Sequence, residues 1–147
     1  MPQPSGARSR ARELLVQALY QMQIAGHDRR ELEKQFRERR DYEKVDREYF
    51  DSALKAIYED IPALEASAGE LTDRPLSQLD PVERGILLLG LHELRSRPEI
   101  PYRVVINEAV NLARRFGAVD GHKYVNAILD RAAAGLRPAE GSGARSK

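Results

Sequence analysis

The sequence predicts an all-α protein, a compact bundle of six or seven helices. Apolar residues recur at spacings of three and four throughout, and no stretch alternates with the period of two that a half-buried strand requires. Helix start and stop signals bracket those stretches: aspartates ahead of them, and glycine or proline behind. At 147 residues, 41% hydrophobic and 32% charged, the chain has the composition of a globular domain.

Taken in order, Ser9 to about Ala25 forms the first helix. Ala11, Leu14, Leu15, Ala18, Leu19 and Met22 share one arc of its wheel, and Gly26 is its natural stop. A short helix follows, with Leu32 and Phe36 inward, ending near Arg40. In "VDREYFDSALKAIYEDIP", Asp46 is the N-cap and Tyr49, Phe50, Ala53, Leu54 and Ile57 face the core. Pro62 is expected to end that helix or begin the next turn. "LDPVERGILLLGLHELRSRP" opens with Asp80 as cap, Pro81 at the first helical position and Glu83 placed to complete a capping box. Ile86, Leu87, Leu88, Leu89 and Leu91 surround its axis, which marks a central helix packed on several sides. "IPYRVVINEAVNLARRFG" is a helix ending at Gly117. The last helix starts at Asp120, its expected N-cap, and turns Val125, Ile128, Leu129, Ala132 and Leu136 inward. Residues 1–137 are expected to form a single domain with residues 1–7 flexible, followed by a disordered tail over 138–147 that has no large apolar residue.

Several function classes lack the necessary parts. There is no cysteine, so no disulfide, thiolate metal site or cysteine nucleophile is expected. His27, His92 and His122 lie far apart without metal-ligand spacing, and no glycine-rich phosphate loop is present. No metal, cofactor or catalytic residue is therefore assigned, and the chain is expected not to be an enzyme. The longest apolar or glycine run, "GILLLGL" from Gly85 to Leu91, is far shorter than the roughly 18 residues of a membrane span. A cytoplasmic protein is expected.

The net charge of +1 conceals a pattern. Residues 1–27 carry three cations and one acid, residues 28–80 ten cations and fifteen acids, and residues 102–147 eight cations and four acids. Basic ends suit an anionic partner. At the start, Arg8, Arg10 and Arg12 gather where the helix macrodipole disfavours cations, so something outside the helix must favour them. Phosphate is one candidate, because arginine joins a fixed charge to a planar donor fork. Tyr20 projects away from the apolar arc, in a row with Val16 and Ile24, which makes the first helix either one buried on two faces or the carrier of an aromatic platform on which a single-stranded base stacks. The last helix repeats the combination with Asp120, Lys123 and Tyr124.

"ARELLVQALYQ", "LDPVERGILLLGLHEL" and "IPYRVVINEAVNLARRFGAVDGHKYVN", in this order, resemble the bacterial NusB family of transcription antitermination factors over roughly Arg8 to Arg137. The resemblance implies an all-helical protein that binds the boxA element of ribosomal RNA leaders. Its implied partners are a small-subunit ribosomal protein (NusE), other Nus factors and RNA polymerase. It also implies RNA contacts at Arg8, Arg10, Arg12, Tyr20, Glu83, Asp120 and Tyr124. Ser9 interrupts what is often a continuous arginine run, Tyr124 stands where phenylalanine is common, and Leu88 stands where some relatives have a cation. The alternatives are a purely protein-binding helical adaptor, or a relative of the N-terminal domain of ribosomal RNA cytosine methyltransferases.

Overall fold

The computed structural model describes residues 3–140. They form α1 (Gln3–Ala25), α2 (Arg29–Arg37), α3 (Arg47–Gly69), α4 (Pro81–Ser96), α5 (Tyr102–Phe116) and α6 (Gly121–Leu136), with short 3-10 helices at Arg40–Lys44 and Leu76–Gln78 and no strand among the described residues. The all-α expectation holds. The chain divides into two compact units, Met1–Asp60 and Ile61–Lys147, and the division falls inside α3, just before Pro62.

In the first unit, α1 begins earlier than the apolar pattern shows, at Gln3 and not Ser9. Its predicted arc is buried from Ala11 to Leu19, and Gly26 ends it with a φ of 71°, a left-handed conformation that glycine adopts without strain. Asp28 and Glu31 form a reciprocal capping box at the start of α2, which buries Leu32 and Phe36 as expected. The Phe36 and Phe50 rings lie 5.6 Å apart, and Tyr42 meets Phe50 edge-on at 5.8 Å. Asp46 fastens the start of α3: its Oδ1 accepts the Tyr49 N–H at 3.0 Å, and its own N–H donates to the Ala7 carbonyl at 3.1 Å.

α3 does not end at Pro62. Proline removes the hydrogen bond that its own nitrogen would give to the preceding turn, at a cost of about 3 kcal/mol. Helix beyond it places Leu64 and Ala68, both with no solvent exposure, and that burial outweighs the lost bond.

In the second unit, α4 is surrounded as its sequence predicts: Ile86 through Leu89 and Leu91 are all at or below 2% exposure. Packing pairs α5 with α6 and each of them with α4. Two charged side chains join these helices at their ends. At the start of α4, Asp80 caps by accepting the Val82 N–H at 2.8 Å, but Glu83 does not complete the expected box. The Glu83 side chain is buried and its Oε2 accepts the Ala118 N–H, 3.1 Å away in the α5–α6 connection. Gly121, the first residue of α6, packs so tightly against this carboxylate that a Cβ there would overlap Oε2 and lie 2.5 Å from Cδ.

At the other end, Arg137 is 8% exposed and fans its donors over backbone carbonyls. Nε donates to Leu94 at 2.9 Å, Nη1 to Ile100 at 3.0 Å, and Nη2 to Glu93 at 3.1 Å and Arg97 at 2.9 Å. The Leu94 carbonyl, whose helical partner position is Pro98 and so offers no N–H, is thereby satisfied by a cation, while the Glu93 and Arg97 carbonyls take Arg137 as a second donor beside the N–H groups of Arg97 and Ile100. Glu140, which the sequence reading assigned to the disordered tail, accepts from Arg137 Nη1 at 2.5 Å and from the Tyr102 N–H at 3.1 Å, so it caps α5. Residues 141–147 of that tail lie outside the described residues. One further inward expectation fails: Leu136, the last residue of α6, is 38% exposed.

Arg137→Ala leaves the Leu94 carbonyl without a donor, removes the guanidinium bonds to Glu93, Arg97 and Ile100, and is expected to lower stability by on the order of 3 kcal/mol, read as a shift in the urea midpoint. The Tyr102 N–H, and then Arg137, hold the Glu140 carboxyl below its ordinary value of 4.5. A depressed value in the folded state means the contribution is present above the unfolded value and lost as pH falls through the folded one. Stability should therefore decline below about pH 4.5, and Glu140→Gln should flatten that part of the pH–stability curve. Gly121→Ala, which drives a methyl into Glu83, should cost about 1–3 kcal/mol in thermal unfolding. Glu83→Ala, which orphans the Ala118 N–H, should cost a similar amount.

Candidate nucleic-acid interface

In the first unit, the three arginines of α1 have three different environments. Arg8 and Arg12 are one helical turn apart and share a face. Arg8 Nε donates to Asp46 Oδ2 at 3.1 Å, and its guanidinium lies 4.0 Å from the centre of the Tyr49 ring. Arg12 is 3% exposed, with its guanidinium 5.9 Å from the same ring. Arg8, expected from the sequence as a phosphate-binding cation, is thus already paired with an acid of the fold. Because α1 starts at Gln3, these arginines lie beyond its first turn, where the macrodipole penalty expected for a helix start has faded, and Asp46 and the Tyr49 π-face lie against Arg8. Arg10, on the other side of the helix, is exposed and has no acid partner among the described residues.

Tyr20 is 40% exposed, as the wheel predicts, and its hydroxyl has no hydrogen-bond partner among the described residues. The row drawn through it does not survive intact. Val16 is buried at 3% exposure, whereas Ile24 is 60% exposed. The free face of α1 is thus Arg10, Tyr20 and Ile24. Along the axis, Arg10 and Tyr20 are roughly 15 Å apart.

In the second unit, Glu83 holds the α5–α6 connection from inside, and Asp120, Lys123 and Tyr124 lie on the segment it holds. Asp120 occupies the cap position of α6 but makes no side-chain capping bond. Its φ of −106° and ψ of 12° lie outside the extended region from which a capping side chain reaches back, so the carboxylate turns to solvent. There its Oδ1 meets Lys123 Nζ at 3.6 Å, and both side chains are about three-quarters exposed, at 76% and 74%. Tyr124 is half-buried. Its hydroxyl bonds to Thr72 Oγ1 at 2.5 Å, and the Arg74 guanidinium lies 5.3 Å from the ring centre. Arg131 donates to the Leu71 carbonyl at 3.0 Å, so two α6 side chains hold residues 71–74 in place. Arg74 carries a cation to Tyr124 from a loop, where no helical periodicity could have marked it. Leu88, the position at which relatives have a cation, is fully buried on α4.

The first unit offers a cation and an exposed ring, and the second offers cations, a half-buried ring and an outward carboxylate; cations and rings are parts that bind a polyanion bearing aromatic bases. Among the described residues there is no cluster of three potential metal ligands, and no helix is long and apolar enough to cross a membrane.

Comparison with known proteins places the chain. A family model described as the NusB family matches residues 9–134. Transcription antitermination protein NusB of Paraburkholderia phymatum is 47% identical over 141 residues, covering 96% of this chain and 97% of that protein. The protein of the same name from Hahella chejuensis is 46% identical over 140 residues, covering 95% and 94%. A solved structure of T. maritima NusB matches with a TM-score of 0.77 at 28% identity, over 92% of this chain and 96% of that one. With a family match across most of its length, close relatives of equal extent and the same fold, the chain belongs to the NusB family.

Proposed function

We propose that this protein is an RNA-binding transcription antitermination factor that works in the cytoplasm without catalysing a reaction. In this role it recognises boxA RNA of ribosomal RNA leaders together with a small-subunit ribosomal protein, NusE, and acts with other Nus factors and RNA polymerase. The observation that carries the proposal is the near full-length match to proteins named for transcription antitermination. Side chains left free by the fold support it: Arg10 and Tyr20 on α1, and the outward Asp120–Lys123 pair on α6. Arg8 and Arg12 lie against Tyr49, Glu83 holds the α5–α6 connection that carries Asp120, and Tyr124 supplies a ring already faced by Arg74.

Titration of labelled single-stranded boxA RNA, with and without the ribosomal protein, tests this against a purely protein-binding adaptor, which would bind the protein and ignore the RNA. Tyr20→Ala should cost about 1–3 kcal/mol of RNA affinity and lower the melting temperature little, since the residue is 40% exposed. Arg10→Ala should weaken binding and reduce the log–log salt slope by about 0.7. Asp120→Asn should strengthen binding, because it removes a negative charge that neutralises Lys123 while giving up no capping bond. Equal affinity of the wild type and Asp120→Asn for boxA and scrambled RNA would reduce Asp120 to a surface charge.

A further inference from the structure

We infer that a polar groove between α5 and α6 is a further subsite for single-stranded RNA, one that takes a base edge and an adjoining phosphate. The inference rests on the RNA-binding function proposed above and extends it to residues that, apart from Lys123, that function does not use. Asn107, Asn111 and Arg114 stand at i, i+4 and i+7 on α5, which places them on one face. Across from them, α6 contributes His122, Lys123 and Asn126. The groove has a volume of 540 Å³, inside the roughly 300–1,000 Å³ of sites that hold small ligands.

Its chemistry is selective. Three carboxamides, two cations and an imidazole line it, with Val110 the one apolar member and no carboxylate. Among the described residues, the side chains of Asn107, Asn111, Arg114, His122 and Asn126 make no hydrogen bond or ion pair. Other arginines of the same unit are committed: Arg84 to Glu65, Arg131 to the Leu71 carbonyl, and Arg137 to four carbonyls. Donors and acceptors that converge on one groove without satisfying each other are arranged for a polar occupant.

A carboxamide offers a donor and an acceptor side by side, the pattern that pairs with the edge of a base, and a guanidinium grips a phosphate. A protein partner would be met by a different surface, because the centre of a protein–protein interface is apolar, rich in aromatic residues and poor in charge. Lys123 belongs both to the groove and to the Asp120 pair, so a strand engaged at Asp120 passes directly into the groove.

The experiment uses the full chain, a labelled boxA RNA and a scrambled RNA of the same length, titrated at several salt concentrations. The double variant Asn111→Ala/Asn126→Ala should lose roughly tenfold in boxA affinity and narrow the ratio between the two RNAs. Arg114→Ala should weaken both RNAs alike and reduce the salt slope by about 0.7, whereas Arg114→Lys should keep the slope. These side chains are solvent-facing, and thermal melts should match the wild type. Unchanged RNA affinity in all of these variants, with Arg10→Ala and Tyr20→Ala still weakening it, overturns the groove and leaves the proposed function standing. A wild-type chain that binds neither RNA overturns both. Loss of ribosomal-protein binding with RNA affinity intact overturns the subsite and makes the groove a protein surface.

Discussion

A carboxylate buried at the start of a helix must find donors, and in the second unit the way Glu83 finds them determines where the candidate interface stands. It lies in the first turn of α4, where the macrodipole favours its charge, and it reaches the Ala118 N–H instead of its own helix cap. Its tight fit against Gly121 sets how close the first turn of α6 comes to α4. With that turn anchored from inside, Asp120 is released from capping and its charge points outward. The local rule that an aspartate before a helix caps it gives way because another residue's carboxylate already occupies the interior side.

Arg137 is the counterpart at the opposite end of α4. Anion at the N-terminus and cation at the C-terminus complement the helix dipole; the anion accepts one backbone N–H and the cation donates to four backbone carbonyls. A buried guanidinium without partners would be strongly unfavourable, but backbone carbonyls that the helix itself cannot satisfy are well suited to it. Glu140 extends the arrangement to the first N–H of α5, so the ends of three helices share one guanidinium–carboxylate pair.

The first unit uses the same economy. Asp46 caps α3, accepts from Arg8 and donates its backbone N–H to Ala7, and Tyr49 offers its face to Arg8 and Arg12. Cations that look like a single RNA-binding cluster in the sequence are thus divided between structure and surface, with Arg10 on the surface. Helical geometry explains the division, since residues four apart share a face and the one between them does not.

The sequence by itself determined the helical class, the inward residues of each helix and most boundaries, because those follow from short-range periodicity and capping chemistry. Asp80, Pro81, Gly117 and the leucines of α4 are where the pattern places them. Even the "DRRE" box at Asp28 was legible, had the capping signature been applied there. The sequence also isolated Tyr20 as a ring outside the core arc. Only the tertiary structure decided which charges are spent on the fold and which remain free. The partners of Arg8, Glu83 and Arg137 lie roughly 35 to 45 residues away, and a contact at that separation leaves no trace in local spacing. The continuation of α3 through Pro62 has the same origin: burial of Leu64 and Ala68 overrides a local breaking signal. Asn107 and Asn111 were present in the sequence as i, i+4 neighbours on α5 and Asn126 stood apart on α6, and packing alone made them one groove.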